Sequence, residues 1–335
     1  MNRAQFVLAV GSALVARRSI PRAGRDGDDK IDPASTAQGQ ALRVLLGTGD
    51  AQRIDDASFT FEGKRYRGTF SALPSGEIVN TVPLEQYLYS VVSREMPYSW
   101  PQAALQVQAI VARTYVLQRS NPAHAYDLVP SEADQVYSGM DAEHAPSTAA
   151  VDATAGNVLR FGDAFAQVLY SSCCGGHTES NSQAWGGKPL PYLAGVQCPY
   201  CTQSPWYTWT KQLPADQVQS ALAQQLGSVG PLRAVALDAP DASGRAQFWN
   251  FTGANGVVRV KSEDVRRALG TRVLPSLLVR SVTLTQADGR VAIEGGGLGH
   301  GVGLCQWGAR GMALSGAGAR AILAYYYPGT GIGND

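Results

Sequence analysis

Ser93-Arg94-Glu95-Met96-Pro97-Tyr98-Ser99-Trp100-Pro101 runs directly into Gln102-Ala103-Ala104-Leu105-Gln106-Val107-Gln108-Ala109-Ile110-Val111-Ala112-Arg113-Thr114-Tyr115. The second stretch predicts a helix over residues 101–117. Pro101 suits a first helical turn, with Ser99 or Trp100 as the cap before it. Ala104, Leu105, Val107, Ile110 and Val111 make the helix apolar on most sides, the pattern of a buried helix. Gln102, Gln106, Ala109 and Arg113 share one face by their spacing. A buried Arg113 needs an acceptor, and Glu95 is a candidate across the turn. The stripe either faces a cleft or faces solvent.

Glu95 stands among Met96, Pro97, Tyr98 and Trp100. Apolar surroundings disfavour a charged carboxylate, and a carboxyl that keeps its proton near neutral pH is what a general acid requires. Lining a cleft, Glu95 would protonate a leaving group. The plainer alternative is that it caps or flanks the helix.

Outward from this stretch the chain reads as α+β: one mixed catalytic domain with a buried helix and a smaller β-rich subdomain, a cleft between them. Residues 41–82 carry short β-prone runs, with Glu62-Gly63 as a hairpin turn. Residues 84–93 form a short helix that delivers Glu95. Hairpins are expected around Gly162-Asp163 and Asp288-Gly289, helices over 216–226 and 262–270, and a terminal helix over 312–327. Residues 210–290 hold the candidate subdomain within a domain of 41–335.

Residues 4–16 form an uncharged, mostly apolar run after a short basic start, the shape of an export signal and too short to span a bilayer. The alternative is a buried N-terminal helix. Residues 19–40, rich in Arg, Asp, Gly and Pro, read as a flexible leader. Hydrophobic residues make up 44% of the 335 and charged residues 16%, so the remainder is globular. A net charge of +1 gives no electrostatic case for nucleic acid or an anionic membrane surface.

Cys174-Gly175-Gly176-His177 and Cys198-Pro199-Tyr200-Cys201 are paired knuckles. Together they read as a structural Cys3His zinc site, with Cys174, His177, Cys198 and Cys201 as ligands and no open position for water. A disulfide or free thiols are the rivals. Cys173 points away from its neighbour's face, and Cys305 reads as a small buried residue. In the glycine-dense stretch 295–309, His300 and Gln306 are the polar groups and Trp307 stands beside them, a combination suited to a sugar. Its glycines allow a backbone to approach a ligand closely; a tight packed loop is the alternative.

These motifs resemble the SpoIID/LytB family, stage II sporulation protein D and the amidase enhancers. The stretch 93–115 looks like its signature helix, and Gly299-His300-Gly301-Val302-Gly303-Leu304-Cys305-Gln306-Trp307-Gly308-Ala309 looks like its C-terminal motif. Tyr192-Leu193, Ser204-Pro205, Trp209, Asp264-Val265-Arg266 and Leu269-Gly270 fit the pattern between them. The resemblance covers residues 43–332. It implies an exported lytic transglycosylase acting on peptidoglycan glycan strands, with Glu95 as general acid/base and Arg113 and His300 lining the same cleft. It also implies a metal near Cys174 and His177, although residues 127–136 lack the Cys or His that some relatives carry there. A non-catalytic glycan-binding partner of a cell-wall amidase is the alternative, and a zinc-stapled envelope protein without activity a weaker third.

Overall fold

The computed structural model describes residues 40–131 and 134–335; the expected export signal and leader lie outside them, apart from Gln40. The chain is α+β. The strand Glu77–Pro83 runs straight into helix α1, Leu84–Glu95, and a short link leads to helix α2, Gln102–Arg119. A proline precedes each helix, Pro83 and Pro101, and neither helix has a side-chain cap. α1 stops at Met96, which is extended at φ −131°, because the residue before Pro97 is pushed out of helical space. Glu95 is therefore the last helical residue.

α2 is buried almost all round, from Ala104 and Leu105 to Val116 and Leu117. It packs on α1, on helix α3 (Ala145–Asp152), on the strand Asn157–Phe161 and on two C-terminal helices, Gln306–Leu314 and Ala319–Tyr326. Those two replace the single terminal helix predicted over 312–327; Gly316 and Gly318 interrupt it. The predicted hairpin at Glu62-Gly63 joins Ser58–Phe61 to Lys64–Arg67, and that at Asp288-Gly289 joins Val279–Thr285 to Arg290–Gly295. The helix predicted over 216–226 divides at Leu222.

The strands form small sheets. Ala41–Thr48 and Thr69–Ala72 flank Glu77–Pro83 antiparallel. Gly331–Asn334 returns to pair with Asn157–Phe161, tying the end of the chain to its middle. Leu304–Cys305 lies parallel to Tyr170–Ser171. Buried apolar residues fall into two clusters, one around α1 and α2, the other drawn from residues 209–293 and centred on Trp249, Phe251, Val265 and Ile293. Among the described residues no helix is long and apolar enough to cross a membrane.

Candidate active site

Glu95 lies in a cleft of about 670 Å³. Its walls come from the end of α1, the second half of α2 (Tyr115, Arg119), residues 134–136, residues 169–172 and the glycine-rich loop 298–306. None comes from residues 209–295, so the β-rich part does not form a lip of this cleft. Oε1 of Glu95 accepts a hydrogen bond from the Val136 N–H at 3.2 Å, and its backbone carbonyl accepts one from Gln306 Nε2 at 3.1 Å. The apolar neighbours expected from the sequence do not surround the carboxylate as a group: Met96 is buried in the core, and Tyr98 is exposed and stacks on His144.

Gln306 is the floor of the cleft. Its Nε2 also donates to Gln108 Oε1 at 3.2 Å, so Gln108, not Gln106, is the glutamine of α2 that reaches this region. Gln106 does not line the cleft. Trp307 stands outside it, edge-on to Trp100 at 5.0 Å, with Arg310 over both rings. His300 lies on the rim. Its Nδ1 accepts from the Val302 N–H at 3.0 Å, and burial pushes the imidazole down to about 4, against a hydrogen bond with the backbone of Tyr170. The ring is therefore neutral near pH 7.

That depressed value has a measurable consequence. In the unfolded chain the imidazole titrates near 6.5, so below that pH the unfolded state binds more protons than the folded one. The folded state loses stability as pH falls from about 6.5 through about 4, by about 3 kcal/mol at full effect. His300→Gln should flatten this acid limb in thermal melts between pH 7 and pH 4. Equal slopes in the two proteins would refute the assignment.

Arg113 is elsewhere. It is fully buried and bidentate to Glu85, with Nε–Oε1 at 2.8 Å and Nη2–Oε2 at 2.5 Å, and Nη1 donates to the Asn157 carbonyl. Its face of α2 meets α3, where Gln102 donates to the Pro146 carbonyl. The partner proposed from the sequence, Glu95 at the end of α1, is replaced by Glu85 at the start of the same helix. Arg113→Met should cost about 3–5 kcal/mol, the usual result of breaking a buried pair, measured by denaturant unfolding. The folded fraction should keep its affinity for substrate.

The sequence did not mark Asp134. It shares the cleft with Glu95 and accepts from the Tyr115 hydroxyl and from Arg119 Nη1, both at 3.2 Å, and from the Val129 N–H at 2.9 Å. It lies in a short polar turn with no spacing signal. Burial, partly offset by Arg119 and reinforced by Asp134, pushes the Tyr115 hydroxyl up to about 12, so it remains a donor.

The glycines of the C-terminal motif serve packing against the chain. Gly301 and Gly303 have φ of 80° and 73°. A Cβ at Gly301 would collide with the Arg245 guanidinium, and one at Gly303 with the Leu169 carbonyl.

The buried thiols that converge are Cys174, Cys198, Cys201 and Cys305, their sulfurs all within 4.8 Å of one another. His177 is not among them. Gly175 and Gly176, at φ 77° and 120°, turn the chain so that His177 bridges to Gln197, and its Nδ1 lies 2.6 Å from the Thr178 carbonyl. Cys305 takes its place. The Cys305 sulfur caps the helix Gln306–Leu314, accepting from the Gly308 N–H at 3.4 Å and from the Cys174 N–H at 3.3 Å. The helix N-terminus and two N–H donors stabilise negative charge on this sulfur, against burial and the neighbouring thiols, which push the Cys305 thiol up. The Tyr326 hydroxyl lies 3.0 Å from the Cys198 sulfur. Tetrahedral Zn–S bonds of about 2.3 Å put sulfurs about 3.8 Å apart, and Cys174 and Cys201 stand 3.8 Å apart. All five cysteines are free. The donor set fits a four-thiolate metal site.

Residues 74–161 match the family model described as stage II sporulation protein, and residues 200–303 a domain of unknown function, DUF8618. An uncharacterized protein of Brachyspira hyodysenteriae is 32% identical over 82% of this chain and 74% of its own length. Stage II sporulation protein D of Bacillus subtilis is 30% identical over 77% of this chain and 76% of its own. The amidase enhancer of Bacillus subtilis is 28% identical over 72% of this chain and 40% of its own. The chain belongs to the SpoIID/LytB family.

Proposed function

We propose that this protein is an exported lytic transglycosylase that cleaves peptidoglycan glycan strands. The observation that carries the reading is the placement of Glu95 at a rigid helix end, in a cleft large enough for sugar rings, with one oxygen held by the Val136 N–H. In this reaction Glu95 protonates the glycosidic oxygen. The resulting carboxylate then takes the proton of the substrate's own C6 hydroxyl as that oxygen closes on C1, giving a 1,6-anhydro sugar without water. Gln306 holds the backbone of Glu95 from below, and the neutral His300 borders the rim. The apolar run of residues 4–16 supports export to the cell envelope.

Cys174, Cys198, Cys201 and Cys305 would hold a zinc ion. With four protein ligands it would have no open position and would supply structure only, joining residues far apart in the chain.

Mass spectrometry of soluble products from purified peptidoglycan, with and without stem peptides, tests the reading. Anhydro-muramic ends are expected. Reducing ends would mean hydrolysis, which needs two carboxylates about 5–9.5 Å apart, and among the described residues Asp134 is the second carboxylate that lines the cleft. Glycan binding without products, together with stimulation of an added N-acetylmuramoyl-L-alanine amidase, would favour the enhancer role, a reading supported by the 28% identical amidase enhancer.

A further inference from the structure

His300 separates the Glu95 cleft from a second cavity of about 210 Å³, which it also lines. One wall is the five-residue helix α4, Asn181–Trp185, with Glu179 just before it; the other is Arg245, Gln247 and Lys261, from the segment matching the domain of unknown function. We infer that this cavity is a second sugar-binding subsite, which receives a neutral pyranose ring of the same glycan strand with one ring face stacked on Trp185. The inference rests on the glycan reading above.

Trp185 is 51% exposed at the mouth of the cavity, its ring 5.3 Å from that of His300. A lone exposed tryptophan says little; this one faces a polar hollow. An indole offers an apolar face to the C–H side of a sugar and leaves the hydroxyl edge for polar groups. The polar groups are present, and their charges are matched internally. Buried Arg245 donates to the carbonyls of His177 and Cys174. Glu179 accepts from the Ser243 hydroxyl at 2.7 Å, and its charge opposes that of Arg245. Among the lining side chains Glu179 and Glu263 offset Arg245 and Lys261, so the cavity has no net charge that would select an anion or a cation. α4 is held by its own cap, Ser180 accepting from the Gln183 N–H at 3.1 Å, so the indole stands on a fixed base.

The test uses the full chain and soluble N-acetylglucosamine oligomers of two to six sugars, titrated by calorimetry. Glu95→Gln serves as background so that no oligomer is consumed. Affinity should rise with oligomer length. Adding Trp185→Ala should weaken the longest oligomer about tenfold, the value of one aromatic contact, and leave the shortest unchanged. Trp185→Phe should recover part of the loss. Thermal melts of these variants should coincide, since Trp185 is exposed. The same length dependence with and without Trp185 overturns the second subsite while the cleft reading stands. No binding of any oligomer to any of the proteins overturns the glycan reading and the subsite together.

Discussion

Glu95→Gln is expected to reduce release of anhydro products by about 10²–10⁴-fold, the range over which one general acid acts, with glycan binding retained. Glutamine has the same shape as glutamate, and its amide oxygen can still accept the Val136 N–H. The helix end, its Pro97 stop and the Gln306 bond to the Glu95 carbonyl are unaffected. Thermal stability should therefore be close to wild type, which separates loss of chemistry from loss of fold. Asp134→Asn is the companion variant. With a single acid/base it weakens the hold on Arg119 and Tyr115 and leaves measurable turnover. With a hydrolytic pair it removes as much activity as Glu95→Gln. Full turnover in Glu95→Gln would remove this residue from the chemistry.

Metal removal should have an effect as large, on folding. Structural zinc in thiolate sites contributes apparent free energies of about 10–16 kcal/mol at neutral pH, comparable with the whole stability of a domain. Purified protein should contain one zinc per chain, and a strong chelator should unfold the core around α2. Cys305→Ser should lose both the metal and the fold. Thiol titration distinguishes the rivals: the four clustered thiols should react only after chelation. Immediate reaction of all four in folded protein would mean no metal, and no reaction even after unfolding would mean disulfides.

The sequence made α2 legible because eighteen residues with apolar groups on nearly every side leave little alternative to a buried helix. Glu95 was singled out for its apolar sequence neighbours; it does line the cleft, but Met96 turns into the core and Tyr98 outward, so the reason given for it does not hold. What failed depended on distance. Arg113 sits on a helix whose polar stripe meets a neighbouring helix, and its true partner Glu85 lies 28 positions back; no spacing rule separates that face from a cleft. Cys305 is 131 positions from Cys174, so the local knuckle made His177 look like the fourth ligand. Asp134 was invisible for the same reason: it reaches the cleft only because residues 134–136 pack beside α2. Gly316 and Gly318 split the predicted terminal helix in two, a break that the apolar pattern on both sides had hidden.

Cys305 and Gln306 are consecutive, yet one sends its sulfur into the thiol cluster and the other its amide to the floor of the cleft. The short strand Leu304–Cys305 is fixed against Tyr170–Ser171, so the two directions are set by register. A single residue inserted or deleted between Gly299 and Gln306 would turn each side chain toward the other's place. The length of this loop is thus as constrained as its composition, in which Gly299, Gly301 and Gly303 each meet a neighbouring group where a Cβ would stand.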